Sequence, residues 1–451
     1  MQSSDVTRPL CFVLMPFGKK PDGAGLMVDF DAVYSEIIGP AIEAAGLEPL
    51  RADEEQGGGI IHKPMFERLM LCEYAVADLT TANANVFYEL GVRHAARPWS
   101  TVLIFAGQAR LPFDVAPLRA IPYALTPAGL PAAGSSAREA LIERLREARD
   151  PTPDSPVFQL LDGWRVPEID RLKTDVFRDR VRYSAQIKER LAAARERPDA
   201  ALQLRGLEKE LGPVTDAESG VVIDLFLSYR AVNAWEDMIA LVDRMSPPLA
   251  ATVFVQEQLG LALNRAGHSE RAEQVLRDLL KRRGPSSETY GILGRVYKDR
   301  WEAAQRKGDV HLARGLLDRA IEAYVQGFEA DWRDAYPGIN AVTLMELRDP
   351  PDRRREQLLP VVAYAVGRRI AAGQPDYWDH ATRLELAVLA RDEQTAAAAL
   401  ADALAVVRER WEPETTARNL RLIREARERR QDVVPWAAEL EQALVERAGQ
   451  N

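Results

Sequence analysis

The stretch Ala77-Asp78-Leu79-Thr80-Thr81-Ala82-Asn83-Ala84-Asn85-Val86-Phe87-Tyr88-Glu89-Leu90-Gly91 decides how the first third of the chain is read. It leaves an apolar run, Ala75 to Leu79, which has the character of a buried strand. A polar loop follows, and from Asn85 to Ala96 the pattern is helical. The same alternation repeats outward in both directions. Strands are expected at Leu10 to Met15, Leu47 to Leu50, Thr101 to Phe105 and Ile121 to Leu125. Helices are expected at Phe30 to Ala45, Ile60 to Cys72 and Ala137 to Ala148. Continuous apolar strands joined by helices imply a parallel sheet covered on both faces. Residues 1–148 are therefore expected to form an α/β domain of flavodoxin-like strand order.

Residues 149–169 carry Pro151, Pro153, Pro156 and Pro167 and read as a linker that packs through Val157, Phe158, Leu160 and Leu161. From 170 to 451 the sequence is helical throughout, with Ala, Leu, Arg and Glu dominant. Gly260 and Leu263 recur 34 residues later as Gly294 and Tyr297. Ala272 and Leu276 complete the first unit at the spacing of a tetratricopeptide helix pair. In the second unit the matching pair is Ala320 and Tyr324, which leaves about 14 extra residues between its helices. Trp301 to Leu312, with Lys307-Gly308-Asp309 as a turn, is the place for them. Such a pair cannot bury its apolar face alone, so neighbours must stack. Further helices are expected at 217–245, 356–372, 378–391, 394–411, 414–429 and 433–447. The expectation is an all-α tetratricopeptide-like array over 170–451 with its core at 217–347.

Composition excludes some functions. A net charge of −9 argues against a nucleic-acid binder, which needs a basic face. The Arg-rich run Arg424 to Arg430 is interleaved with Glu and reads as a solvated helix face. No apolar run is long enough to span a bilayer, and the N-terminus has no signal pattern. Two cysteines, Cys11 and Cys72, are too few for a disulfide framework, which points to the reducing cytoplasm. The five histidines show no metal-ligand spacing, so no metal site is expected.

Chemistry is expected where the strand at Ala77 ends, because ligands of open parallel sheets bind at the carboxyl ends of the strands. Asp78 stands there, placed to accept hydrogen bonds from ribose hydroxyls. Asn83 or Asn85 can cap the next helix. Helical side chains lean toward the N-terminus, so Glu89 would point back to the crevice. A carboxylate beneath a ribose C1′ can stabilise or attack an oxocarbenium-like centre. The plainer reading is that Glu89 only complements the helix dipole and Asp78 only caps the loop. Lys19 to Val28 reads as a mobile loop that brings Lys19 and Lys20 near phosphate, or as an ordinary surface loop. Gly57-Gly58-Gly59 could offer N–H groups to an anion, and His62 is a polar helix-start residue. Tyr297, Lys298, Asp299 and Trp301 read as repeat packing and inter-helix pairing.

The Ala-Asp-Leu-Thr, Asn-x-Asn-Val and Tyr-Glu-Leu-Gly elements of the opening stretch resemble the signature of the nucleoside 2-deoxyribosyltransferase-like and Toll/interleukin-receptor-like families. The resemblance covers residues 8–125. It implies Glu89 as the catalytic carboxylate at a glycosidic bond and Asp78 as a sugar-pocket residue, with Asn85 in the same substrate-binding run. It also places Pro16, Phe17 and Gly18, within Leu14 to Gly18, in a ligand-facing loop. Arg51 and Asp53 sit where such proteins carry an Arg-x-Asp pair. A second resemblance covers about residues 155–350. Phe226-Leu-Ser-Tyr-Arg230, Gly294 to Asp299, Gly327-Phe328-Glu329 and Tyr336 to Asn340 look like the central regulatory region of the apoptosis signal-regulating kinases, known as the TRAF-binding domain. No kinase motif is present, so this likeness implies a scaffold and not a kinase. Phe226 to Arg230 also mimics a Toll/interleukin-receptor strand, but Trp235, Met238, Ile239, Leu241 and Val242 continue at helical spacing, so it is assigned to a repeat helix.

Three functions are carried forward. The first is an enzyme: an N-glycosidic bond hydrolase or ribosyl transferase of the NAD(P) glycohydrolase or deoxyribosyltransferase kind. It would be regulated by the helical scaffold and would suit a signalling or defence effector. The second is a non-catalytic nucleotide sensor and protein-interaction scaffold. The third is a scaffold with a degenerate pocket. No cofactor is expected, with NAD or a nucleotide as substrate or ligand. The expected partners are a nucleotide-type small molecule, a protein bound through the repeats, and a second copy of the chain, with no nucleic acid and no membrane.

Overall fold

A computed structural model describes residues 8–22, 25–51, 62–107, 118–132, 136–150, 152–161, 171–371, 373 and 375–449, with backbone alone at 62–64 and 171–182. The chain divides into two compact units, Met1–Ser228 and Tyr229–Asn451.

The first unit opens with β1 (Leu10–Leu14), a hairpin of β2 (Lys19–Pro21) and β3 (Met27–Asp29), and α1 (Phe30–Val33). A π-helical turn (Tyr34–Ile38) joins α1 to α2 (Gly39–Ala44). Then come β4 (Glu48–Arg51), α3 (His62–Leu71), β5 (Tyr74–Asp78), α4 (Ala84–Ala96), β6 (Thr101–Ala106), β7 (Ala120–Tyr123) and α5 (Ala137–Glu147). Five strands form one parallel sheet in the order β4-β1-β5-β6-β7. Counting only these strands, the order is 2-1-3-4-5, the flavodoxin-like arrangement, with its switch point between β1 and β5. The whole of β1 is buried because its residues alternate between two cores. Cys11 and Val13 pack with Phe30, Ile38, Ile42 and Leu141. Leu10, Phe12 and Leu14 pack with Leu69, Val86 and Leu90. That alternation explains why the strand lacks a polar face in the sequence.

Arg93 ties this unit together. Its side chain is fully buried on α4. Nη1 donates to the carbonyls of Leu69 (2.8 Å) and Cys72 (2.7 Å). Nη2 donates to Glu73 O (3.1 Å) and Ser100 Oγ (3.2 Å), and Nε donates to Thr101 Oγ1 (3.3 Å). All five N–H groups thus have neutral acceptors, two of them carbonyls at the end of α3, where the helix dipole favours a cation. Burial pulls its pKa down to about 10.

Two expectations change here. Lys19 to Val28 is not a plain loop: β2 and β3 pair antiparallel, and Asp29 N donates to Gly129 O at 2.9 Å. In the linker, Ser155 is buried and donates to His94 O (2.7 Å), while Asp154 accepts from Thr101 N (3.0 Å). Pro156–Leu160 is a short helix, α6, yet Leu160 and Leu161 are exposed rather than packed. The next helices are α7 (Arg171–Arg195), α8 (Ala200–Leu211) and α9 (Ser219–Ala231). Arg68 on α3 pairs with Glu218 at 3.2 Å, and Ser184 on α7 also donates to Glu218. Phe226 to Arg230 lies inside α9, as the spacing predicts.

The second unit runs through α10 (Trp235–Val242), α11 (Pro247–Ala250), α12 (Val253–Arg265), α13 (Ser269–Arg283), α14 (Ser287–Arg306) and α15 (Val310–Ala330). It continues with α16 (Ala335–Leu347), α17 (Arg354–Ala371), α18 (Tyr377–Ala390), α19 (Glu393–Ala405), α20 (Trp411–Arg429) and α21 (Ala437–Gly449). The stretch expected as one helix over 217–245 is broken at Asn233, whose φ is +57°. From α12 onward consecutive helices pair, and the first helices of successive pairs pack on one another. The repeat glycines explain the close approach. A Cβ on Gly260 would lie 2.7 Å from Leu276 Cδ2, and one on Gly294 would lie 2.8 Å from the Tyr324 ring. A third such position, unread in the sequence, is Gly338 on α16, 2.7 Å from Val362 Cγ2. The extra residues form no separate element. They lengthen both helices, so that α14 and α15 run 20 and 21 residues against 13 and 15 for α12 and α13, with the turn at Lys307-Gly308-Asp309 as read.

These contacts set an expectation. Gly294→Ala should lower stability by about 1–3 kcal/mol through overpacking against Tyr324. Gly206→Ala in α8, where nothing stands within 4 Å, should raise it by about 0.5–1 kcal/mol. Chemical denaturation of the two variants checks this, and equal effects of the same sign would contradict the packing assignment.

Candidate functional site

In the first unit the candidate residues gather at the carboxyl ends of the strands and form two clusters. The first is built around Arg51, the last residue of β4. Its guanidinium lies 5.0 Å from the Phe17 ring centroid and 4.7 Å from that of Tyr34. It pairs with Asp31, which also accepts from Gly18 N at 3.3 Å. The Arg51 hydrogen bond holds the Asp31 carboxyl below its usual range. Gly18 has φ +63° and its carbonyl accepts from Phe30 N at 3.0 Å, so the loop after β1 lies against the start of α1 across the β2–β3 hairpin. Pro16 is buried beside it. Phe17, Gly18 and Arg51 are therefore neighbours. Asp53, Gly57, Gly58 and Gly59 and the His62 side chain lie outside the described residues.

The second cluster is centred on Asp78, which is 1% exposed at the end of β5. Oδ1 accepts from Thr80 N (3.0 Å) and Thr80 Oγ1 (2.5 Å), and Oδ2 meets Tyr123 OH at 2.9 Å. Thr80 Oγ1 and Tyr123 OH are 2.7 Å apart, and Ala106 N donates to Thr80 Oγ1 at 2.9 Å. The three side chains form a ring of three O···O contacts. An ionised Asp78 leaves two hydroxyl protons for three contacts, while a protonated one places a proton in each. Burial pushes the Asp78 pKa up to about 6, and the neighbouring carboxyl raises that of Tyr123 beyond what burial does. Asp78 thus faces inward, and the sugar-binding role implied by resemblance would need this ring to open. The helix N-cap is Asn83, whose Oδ1 accepts from the N–H groups of Asn85 (2.9 Å) and Val86 (3.3 Å). Asn85 is exposed in the first turn, and Glu89 is partly exposed in the second turn of α4. Tyr34, Arg93 and Tyr123 were not singled out in the sequence. Arg93 left a trace, since it occupies the apolar stripe of Val86 and Leu90 at i+7 and i+3.

The second unit holds a cavity of about 670 Å³ lined mainly by α14, α16, α18 and α20, with Arg265 of α12 and Arg369 of α17 at its edge. Lys298 forms part of its lining and is 2% exposed. Its Nζ donates to Asn340 Oδ1 (3.4 Å) and Asn419 Oδ1 (3.5 Å). Burial pulls its pKa down to about 8. Asn419 Nδ2 donates to Glu385 Oε1 at 2.9 Å. The indoles of Trp378 and Trp411 lie 5.5 Å apart in the same lining. The other members of the Lys298 group behave as the sequence suggests. Asp299 pairs with Arg295 (2.8 Å) and accepts from Asn264 (2.7 Å), Tyr297 donates to Glu273 (2.8 Å), and Trp301 is buried. Among the described residues, no helix is long and apolar enough to cross a membrane.

The MAP3K TRAFs-binding domain pattern matches residues 86–443, from the first turn of α4 to α21. Mouse mitogen-activated protein kinase kinase kinase 15 is 27% identical over 378 residues, which cover 73% of this chain and 27% of that protein. The Caenorhabditis elegans kinase nsy-1 is 28% identical over 219 residues, covering 44% of this chain and 14% of that protein. The chain spans about a quarter or less of the length of these relatives. Among solved structures, a tetratricopeptide-repeat protein of Thermus thermophilus aligns over 45% of this chain and 98% of its own, at 15% identity and a TM-score of 0.34.

The Asp78 ring has a pH signature. A carboxyl whose pKa rises on folding contributes stability that is full below its unfolded value, near 4, and is lost as pH rises through about 6. The stability of the wild type minus that of Asp78→Asn should therefore fall by on the order of 2–3 kcal/mol between pH 4 and pH 7. Denaturant melts across this range measure it. A flat difference would contradict the buried, protonated ring.

Proposed function

The chain belongs to the MAP3K TRAFs-binding domain family, and on that footing we propose that it is a protein-interaction scaffold whose helical array seats a segment of a partner protein. One observation carries the reading. The first helices of four consecutive pairs contribute side chains to a single cavity of about 670 Å³. A surface assembled from several repeats is how stacked helix pairs bind extended partners. The cavity combines an aromatic pair with polar side chains, the mixture expected of a specific peptide site. No kinase motif is present in this chain, and the kinase activity named for the relatives is not proposed for it.

A second reading concerns the α/β unit. Its switch point lies between the loop at Pro16 to Gly18 and the loop that opens α4, and Glu89 on α4 is partly exposed. This supports a nucleotide-type ligand at that crevice, NAD or a related nucleotide. Binding has more support than glycosidic hydrolysis, because the inward-facing Asp78 is engaged with Thr80 and Tyr123. Nicotinamide released from NAD by the wild type and not by Glu89→Gln would restore the hydrolytic reading, whereas saturable NAD binding without release fits a sensor.

The scaffold reading is tested by panning the immobilised full chain against random displayed peptides. The recovered peptides should bind at least tenfold more weakly when Trp378 and Trp411 are both replaced by alanine, because aromatic anchors dominate such sites. Recovery of no peptide, or of peptides indifferent to that double variant, would sink the proposal.

A further inference from the structure

A charged cluster lies where α13, α14 and α15 meet, and none of its side chains lines the cavity. It is centred on Glu273 of α13. Glu273 Oε1 accepts from Tyr297 OH (2.8 Å) and Arg277 Nη1 (3.2 Å), and Oε2 accepts from Arg300 Nη1 (2.6 Å). Arg319 of α15 comes within 3.7 Å of Oε1 without a hydrogen bond, and its guanidinium stands 5.9 Å from the Tyr297 ring centroid. Burial would raise the Glu273 carboxyl, but the Tyr297 hydroxyl and the arginines hold it below its usual range, so it is ionised at neutral pH.

One carboxylate thus serves three guanidinium groups. Among the described residues, no other carboxylate oxygen lies within 4 Å of them. The neighbouring acids are committed elsewhere: Asp278 to Lys281 (3.6 Å), Asp318 to Arg348 (3.4 Å), Glu302 to Arg418 (2.8 Å) and Glu322 to Arg354 (3.1 Å). Glu270 is exposed on α13, but it stands seven residues before Arg277, about 10 Å along the helix axis. Past Arg277 the same helix ends in Lys281, Arg282 and Arg283. The Arg277 and Arg319 side chains are 57% and 59% exposed, whereas that of Glu273 is 15% exposed. Guanidinium groups, not the carboxylate, therefore face solvent.

We infer that this cluster is a docking point for a phosphorylated residue of a partner protein, with Arg277 and Arg319 as direct ligands of the phosphate and Arg300 adding charge behind them. The cluster carries three positive charges against one negative. The surplus matches a phosphomonoester, which bears about −1.5 to −2 at neutral pH, better than a single carboxylate. All three cations are arginines, whose planar forks each hold two oxygens of one oxyanion, a geometry that lysine does not offer. Arginine clusters of this kind are a recurrent means of reading phosphorylated segments. A nucleic-acid strand presents its phosphates in a row, whereas the cluster offers one compact point.

The test offers the full chain to three immobilised degenerate peptide libraries that carry phosphothreonine, threonine or glutamate at one fixed position, and to a labelled single-stranded oligonucleotide. The phosphorylated library should retain about tenfold more protein than the other two at physiological salt, and the preference should shrink at high salt, which screens exposed charges. Arg277→Gln combined with Arg319→Gln should abolish the preference. Exposed ion pairs add little to stability, so this double variant should stay folded, with an unchanged thermal melt. Equal retention on the three libraries would overturn the inference without any variant. A preference that survives the double variant would overturn it too, as would arginine-dependent capture of the oligonucleotide in place of the phosphorylated library. None of these outcomes touches the cavity reading, which is tested with unphosphorylated peptides.

Discussion

The architecture of the array depends on the close approach of each first helix to the second helix of its pair. At Gly260, Gly294 and Gly338 the missing Cβ lets Leu276, Tyr324 and Val362 lie against helix backbone. The apolar residues of each pair are spent on that contact and on the next pair, as the continuous core from Phe328 to Leu444 shows. What remains on the first helices is a face with no helix to cover it. There the chain places Lys298, Asn340, Glu385 and Asn419, residues that would be costly in the core and that turn the leftover face into a polar cavity. The lengthened α14 and α15 keep the same pairing geometry, which is why the insertion did not disturb the stack.

The α/β unit rests on a different solution. Its sheet is sealed by two apolar cores, and between the end of α3 and the start of β5 the carbonyls of Leu69, Cys72 and Glu73 converge on one side chain. Arg93 supplies five N–H groups there and does so without a carboxylate. The crevice side of the sheet is organised by polar clusters instead, Arg51 between two rings and Asp78 with Thr80 and Tyr123. In the first, Asp31 is exposed while the Arg51 side chain it pairs with is buried. The second is closed.

Much of this was legible in the sequence where one local pattern decides one element. The apolar strands, the capped helix at Asn83, the turn at Lys307-Gly308-Asp309 and the glycine pair 34 residues apart all report on neighbours near in sequence. The hairpin of β2 and β3 was not legible. Lys19, Lys20 and Pro21 are all exposed, so no alternation marks them as a strand, and their order comes from pairing and from Gly129. The direction of Asp78 was hidden too, because its partner Tyr123 lies 45 residues away on another strand. The cavity was the least legible feature. Lys298 meets Asn340 and Asn419 across 42 and 121 residues, and each looks like an ordinary helix residue in its own segment.

The central claim, that the uncovered face of the first helices is the binding face, is most directly measured by hydrogen–deuterium exchange of the full chain with and without a saturating recovered peptide. The account predicts added protection in α14, α16, α18 and α20, strongest around Lys298, Glu385 and Asn419. Protection confined to the second helices α15, α17, α19 and α21, or to the α/β unit alone, would contradict it.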